Sequence, residues 1–333
     1  MVLVQDDSMQ PLISIIIPVF RSEKYLPALI SDIKSQSFVN WELLLVDDGS
    51  PDQSGALCDA YAASDSRITA IHKPNGGISS TCNAGIKAAK GEWLFFCDHD
   101  DNLPSNSLSL FFDAISSHDT DLVAASYIRY EEQRLVPDSV DTKTETLSVS
   151  AYIERACNSI CANPHARLDE CYLWDKLLRA DIVRENNLLF REDIHYFQDV
   201  LFVVQYIVHC KKSIYCLNKP VYIYYKRSVG ESSNLTHCYN PIKSPGRFYS
   251  AIYSYNLVND SGLSKKAVSY LKQEILESYY RLVFQLLHSK TKSFKDFRNF
   301  SRMVFKYNSP WTVFTTWITR HFRLKRQRRV FQN

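Results

Sequence analysis

The sequence has 333 residues, 45% of them hydrophobic and 23% charged. That is enough for one large α/β domain with a smaller appendage, and it excludes the low-hydrophobicity, high-charge composition of a disordered chain. The formal net charge is only +3, yet between Arg320 and Arg329 there are six Lys or Arg and no acid, a block suited to phosphate on lipid or nucleic acid.

No window approaches the ~20 apolar residues of a membrane span, and the best candidate, Val200 to Val208, is too short. Nine cysteines are scattered without any C-x-x-C pair. Cys157, Cys161 and Cys171 form the tightest group, with a spacing that fits no common metal motif, so free buried thiols are expected. With an acidic, polar start over Met1 to Gln10 in place of a secretory signal, this predicts a reducing, cytoplasmic setting.

Ile13 to Val19 is a run of apolar, mostly β-branched residues and reads as a buried parallel strand. Glu23 to Gln36 has helical apolar spacing at Leu26, Leu29, Ile30 and Ile33. Trp41 to Val46 is the next strand, closed by Asp47-Asp48-Gly49-Ser50. Ser50 and Pro51 form an N-cap and N1 pair, which predicts a helix over Asp52 to Ala63. Ile68 to His72 is a third strand, Asn75-Gly76-Gly77 a turn, Ser79 to Ala89 a helix, and Trp93 to Cys97 a fourth strand ending in Asp98-His99-Asp100-Asp101. This alternation predicts a mostly parallel, doubly wound sheet, which binds ligands at the carboxyl ends of its strands.

Beyond Asp121 the pattern weakens. Glu131 to Ser148 reads as a loop or hairpin, and Ala151 to Ile160 and Leu168 to Arg184 read as helices. Asp193 to His209 carries another helical apolar run. Ser213 to Tyr225 is one or two strands with Pro220 at an edge or turn, and residues 264–290 form an amphipathic helix. The end, from Pro310 to Phe331, interleaves Trp311, Phe314, Trp317 and Phe322 with basic residues. That pattern fits an interfacial helix on an anionic membrane, or a packed helix with a solvated basic face. No RNA- or DNA-binding signature accompanies it, so nucleic acid is not expected as a partner.

Two acidic clusters carry chemistry. If the chain is extended after the fourth strand, Asp98 and Asp100 point the same way and suit a hard divalent cation that also grips a diphosphate. The bland alternative is a solvated acidic turn before Leu103-Pro104. Asp47 and Asp48 are placed to bond a ribose or base N–H, or to shape an Asx turn with Gly49 and Ser50. Gly76-Gly77 lacks the G-x-G-x-x-G spacing and no P-loop is present, which disfavours a dehydrogenase or a kinase.

The order of motifs resembles the family-2 glycosyltransferases of the GT-A fold. P-V-F at 18–20, Glu23, V-D-D-G-S at 46–50, N-G-G-I-S at 75–79, N-A-G-I at 83–86, G-E-W at 91–93 and D-H-D-D at 98–101 carry the resemblance. W-D-K-L at 174–177, F-Q-D-V-L-F at 197–202 and Y-I-Y-Y-K-R at 222–227 are similar to that family's second half in bacterial surface-polysaccharide enzymes. The resemblance implies a Rossmann-like, mostly parallel α/β sheet flanked by helices. The catalytic domain would span 11–235, with a nucleotide-sugar half over 11–125 and an acceptor half over 150–235, followed by a mainly helical C-terminal extension over 236–333.

The resemblance also implies roles. Pro18, Phe20, Glu23 and Asp48 would line the nucleoside pocket, with Asp47 nearby. Asp98 and Asp100 would form the D-x-D that holds Mg or Mn and the donor diphosphate. Asp199 matches the catalytic base, Trp174 and Lys176 would sit near acceptor and diphosphate, and Arg227 would stabilise the departing nucleoside diphosphate. Three positions depart from the family pattern: Cys82 stands where Arg is usual, Gln198 replaces the acid before the base, and Arg21 stands where Asn is frequent.

The implied activity is inverting transfer of a hexose from a nucleotide-sugar donor, UDP-linked, to a glycan or lipid-linked oligosaccharide. The setting would be capsule, O-antigen or lipooligosaccharide assembly, peripheral to the inner face of the cytoplasmic membrane. The rival is a catalytically inactive nucleotide- or glycan-binding protein on the same fold.

Overall fold

A computed structural model describes residues 11–131, 134–137, 143–161, 171–225, 240, 243–288, 294–313 and 315. The first half alternates strand and helix as its periodicity predicts: β1 (Ile13–Val19), α1 (Leu26–Lys34), β2 (Trp41–Asp47), α2 (Ser54–Ser64), β3 (Ile68–His72), α3 (Gly77–Ala88), β4 (Trp93–Phe96) and α4 (Ser107–Ser117). Then follow β5 (Thr120–Glu131), β6 (Arg134–Pro137), β7 (Glu145–Leu147), α5 (Val149–Cys161), β8 (Lys176–Arg179), α6 (Ala180–Glu185), α7 (Gln198–His209) and β9 (Ser213–Tyr225). Three helices, α8 (Gly246–Ser261), α9 (Lys265–His288) and α10 (Phe294–Tyr307), close the described chain.

The nine strands among the described residues form one sheet in the order β3-β2-β1-β4-β8-β5-β9-β7, with β6 beside β5. β1 runs parallel to β2 and β4, and β5 parallel to β9, while β8 is antiparallel to both β4 and β5. The sheet is buried on both faces, which explains why β1 and β2 are apolar almost throughout. Ile13, Ile15 and Ile17 face one core with Leu29, Ile33 and Phe111; Ile16 faces the other with Leu44, Ile86 and Phe202. A third apolar cluster joins α8, α9 and α10 through Phe248, Ile275, Leu276 and Phe300.

Several motif residues serve this scaffold. Ser14 Oγ donates to the buried Glu42 carboxylate at 2.6 Å, which also accepts the Lys90 and Gly91 N–H groups. A Cβ on Gly91 would lie 2.6 Å from Ser14 N, so G-E-W needs its glycine where backbones meet. A Cβ on Gly85 would lie 2.4 Å from Ile16 Cγ2, so N-A-G-I lets α3 approach β1. Asn83 exchanges two hydrogen bonds with the Phe190 backbone, tying α3 to the segment before α7.

The structure corrects two readings. Residues 176–179 of the expected 168–184 helix are β8, and only α6 is helical there; residues 162–170 lie outside the described set. As an inner strand covered on both faces, β8 needs adjacent apolar residues, and Leu177 and Leu178 face opposite cores. That pattern is indistinguishable from a short buried helix. The Ser50-Pro51 cap is not used: α2 begins at Ser54, and Ser50 Oγ instead accepts the Arg21 N–H. Pro220 lies within β9, at a register shift opposite Ser126 where a missing donor is tolerated. The 131–148 stretch holds a hairpin, as one of its two readings expected: β6 turns back on β5, and β7 then joins β9. Seven cysteines are free and buried among the described residues, as expected.

Candidate active site

The carboxyl ends of β1, β2 and β4 carry the motif loops, and two of these loops are bound to each other. Asp48 accepts from Lys73 Nζ at 2.5 Å, Gly76 N at 2.9 Å and Gly77 N at 2.8 Å, while Asn75 Nδ2 donates to the Asp48 carbonyl. Gly77 needs its glycine, since φ is 81° there. Burial pushes the Asp48 carboxyl up, but Lys73 and the two backbone donors outweigh it and hold the group below the usual range. V-D-D-G-S and N-G-G-I-S are thus one hydrogen-bonded unit. Asp47 accepts the Ser50 N–H, the Asx geometry that its sequence allows, and also meets His72 Nδ1 at 3.2 Å. Glu23 accepts the Gln53 N–H, and Phe20 stands exposed beside the Arg21 guanidinium.

The acidic segment after β4 is a turn and not an extended strand, because the Asp101 N–H bonds the Asp98 carbonyl. The alternation that would put Asp98 and Asp100 on one side therefore does not apply. The turn is pinned from β9: the Tyr222 hydroxyl accepts the Asp98 N–H at 3.0 Å and donates to Asp101 Oδ2 at 3.0 Å, and Tyr225 N donates to Asp101 Oδ1. His99 Nδ1 donates to the Pro18 carbonyl, holding the turn against the end of β1.

A cavity of about 260 Å³ opens at this edge. Pro18, Asp98, Trp174 and Asp199 line it, four of the residues singled out by motif. Tyr172, Tyr224 and Gln198 line it as well. Phe20, Glu23, Asp47, Asp48, Asp100 and Lys176 are not in its wall, and Arg227 lies outside the described residues. Cys82, at the position of the family's usual Arg, faces the cavity as a thiol that burial keeps protonated.

Asp98 and Asp199 are half-buried, and both face the cavity. Burial, reinforced by the charges of Asp100 and Asp199, pushes the Asp98 carboxyl up to about 7. Burial likewise raises Asp199, against its own and Val200's backbone N–H groups and the Lys176 charge. Lys176 is fully buried and donates to Asp175 Oδ1 at 2.6 Å. Asp199 sits in the first turn of α7, one residue past the helix start, and not at the N-cap that a start near Val200 would give it. The same cavity is lined by the aromatic rings of Tyr172, Trp174 and Tyr224, and Trp174 stacks on Tyr172, Tyr222 and Tyr224 at 4.8, 4.6 and 5.7 Å between ring centroids.

Sequence reasoning passed over Tyr172, Tyr222 and Tyr224. Tyr222 and Tyr224 are two apart on one strand, so both reach Trp174. The acid of D-H-D-D that the structure buries most usefully, Asp101, drew no role from its spacing. Among the described residues no group of three or more His, Cys, Asp or Glu is placed to hold a metal by itself.

Residues 14–146 match the family model described as Glycosyl transferase family 2. The uncharacterized glycosyltransferase EpsJ of Bacillus subtilis is 31% identical over 218 residues, which span 65% of this chain and 61% of EpsJ. Glycosyltransferase GlyG of Streptococcus pneumoniae is 28% identical over 66% of this chain and 72% of its own length. The crystal structure of residues 1–349 of Staphylococcus aureus TarS with UDP-GlcNAc has a TM-score of 0.62, at 22% identity, over 85% of this chain and 75% of that one. The sheet order, the motif loops gathered at its carboxyl edge and these likenesses agree: the chain has the GT-A fold, and its residues 14–146 are similar to glycosyl transferase family 2.

Proposed function

We propose that the protein is an inverting hexosyltransferase. It would move a sugar from a UDP-linked donor to a hydroxyl of a glycan or lipid-linked oligosaccharide during synthesis of a bacterial capsule, O-antigen or lipooligosaccharide. The observation that carries this reading is the convergence of Asp98 and Asp199, from the two halves of the sequence, on one cavity with an aromatic wall. TarS, with the same fold, is described in complex with UDP and with UDP-GlcNAc, which favours a uridine nucleotide. The proposed division places catalysis in 11–235 and leaves 236–333 as a helical region.

Asp98 and Asp100 are the proposed metal ligands, and their chemistry fits Mg or Mn. The donors are oxygens, and burial, with the charges of Asp100 and Asp199 added, makes Asp98 costly to ionise, a cost that a nearby cation lowers. Two carboxylates leave most of the coordination shell to diphosphate and water, as suits Mg. A bound cation would offset charge on the departing diphosphate. Asp199 is the proposed base. Its raised pKa makes it a better proton acceptor for the attacking hydroxyl, with one direct displacement inverting the sugar carbon. Trp174, Tyr172 and Tyr224 offer apolar ring faces to a sugar acceptor and shield the cavity from water.

No described helix is long and apolar enough to cross a membrane. The proposed location is the cytoplasmic face of the membrane, held by the basic tail, most of which lies outside the described residues.

The test is a panel of UDP-sugars with Mg or Mn, reading released UDP. Turnover should require the cation and stop with chelator. Asp199→Asn should lower turnover by about 10²–10⁴ with UDP affinity near wild type. Binding without turnover on every donor would favour the inactive binding protein. Turnover of Asp199→Asn within a few-fold of wild type would move the base, with Asp193 or Glu192 next in line.

A further inference from the structure

The base of the proposed reaction stands on a helix start that does not hold itself. Phe197, the residue before α7, has φ 65° and ψ 23°, the left-handed region that a bulky side chain avoids, and no side chain caps the helix there. The body of α7 is anchored by Val200 to Val204, Tyr206 and Ile207. Its first turn, with Asp199, depends on how residues 196 and 197 are held.

What holds them comes from the C-terminal helices. Gly246, at the start of α8, lies against the Tyr196 backbone so closely that a Cβ would fall 2.5 Å from Tyr196 O and 2.9 Å from Tyr196 N. One helical turn on, Ser250 Oγ donates to the Phe197 carbonyl at 3.0 Å. The Arg247 guanidinium lies 4.6 Å above the Phe197 ring. Arg247 is itself fixed by Glu274 of α9, at 2.5 Å and 1% exposed, and by the Ile160 carbonyl. A backbone contact on Tyr196, and a buried hydrogen bond and a cation over the ring of the strained Phe197, therefore hold the two residues that stand three and two positions before Asp199.

We propose that Gly246, Arg247 and Ser250 are positioning residues for Asp199, so that the helical C-terminal region completes the catalytic site from behind. The inference rests on Asp199 being the base. The conformation of Phe197 sets the direction in which α7 begins and hence where the Asp199 carboxylate points. None of the three clamp residues lines the donor cavity, so releasing the clamp should cost turnover and spare donor binding.

The experiment uses the full chain with Ser250→Ala, Gly246→Ala and Asp199→Asn. It reads kcat and KM for UDP release from the best donor of the panel, UDP affinity in Mg by calorimetry, and Tm. Ser250→Ala removes one hydrogen bond without adding bulk and should lower kcat about tenfold; Gly246→Ala forces the backbones apart and should lower it about 10²-fold, the scale of ångström misplacement. In both, KM and UDP affinity should stay within about twofold of wild type. Ser250→Ala is the deciding variant if Gly246→Ala does not fold. An inactive Asp199→Asn beside a Ser250→Ala with wild-type kcat would overturn the clamp alone. An active Asp199→Asn would overturn the base and the clamp with it. A fall in UDP affinity that parallels kcat in Ser250→Ala would show a merely structural role and also overturn the inference.

Discussion

Tyr222→Phe isolates the hydroxyl that joins the two halves of the site. The ring is fully buried and stacks on Trp174 at 4.6 Å, and Phe keeps that contact and leaves no cavity. What disappears is one oxygen that accepts from Asp98 N and donates to Asp101 Oδ2. Burial and the Asp98 charge push the Asp101 carboxyl well above the usual range, so its oxygen has little solvent to turn to once the hydroxyl is gone. Each group left unpaired costs about 1–3 kcal/mol, and the pair together about 2–6 kcal/mol. For a chain of this size that is a fall in Tm of about 3–9 °C. The turn carrying Asp98 and Asp100 loses its Tyr222 tie to β9 and keeps the one from Tyr225 N to Asp101, so UDP affinity in Mg should fall as well. The assay is a thermal melt with UDP calorimetry on wild type, Tyr222→Phe, Asp101→Asn and the double variant, whose effects should be less than additive. A Tm within about a degree of wild type, or full additivity, would refute the reasoning.

Two further outcomes follow from the charges. The His72 ring spans Asp59 and Asp47, whose hydrogen bonds raise its pKa above the ordinary value. The resulting stabilisation is complete below the unfolded value of about 6.5 and is lost as pH rises through the higher folded one. Tm should therefore fall more from about pH 6 to about pH 9 in wild type than in His72→Gln, and equal falls would sink the argument. Deleting Arg320 to Asn333, which removes the six-cation block, should release the protein from anionic vesicles at low salt; equal binding of both forms would reject the membrane role.

How far the sequence carried depended on the kind of signal. The parallel half was legible because two-faced burial forces unbroken apolar runs such as Ile13–Val19, and because turn residues separate them. β8 was not legible, since a four-residue strand between two others, with three of its residues buried, carries no period of its own. Motif order led to Asp98, Trp174 and Asp199, which the fold does gather around one cavity. It could not show that 98–101 is a turn, because that conformation is imposed by Tyr222, 124 residues from Asp98. Nor could it show what α8 does to Phe197, as neither Gly246 nor Ser250 stands in any pattern with residue 197. Side-chain bonds between distant segments leave no local trace, and these are the bonds that aim the site.

The motif residues themselves divide by what they touch, and the division bears on the choice between enzyme and binding protein. Gly85, Gly91, Asn83 and Asp48 spend their special chemistry on the scaffold: two close backbone approaches, one tie to Phe190 and one loop-to-loop clasp. A relative that had lost catalysis would still need all four in order to fold, so their presence argues for the architecture and says little about turnover. Asp98 and Asp199 behave in the opposite way. Their carboxyls face a cavity, burial makes each of them costly to ionise, and the charge of Asp199 adds to the cost at Asp98. An architecture alone gains nothing from that repulsion and would be relieved by replacing either acid with a neutral residue. Keeping both acids makes physical sense where a positive charge and a transferable proton enter the cavity, and the proposed donor complex and acceptor hydroxyl bring these in.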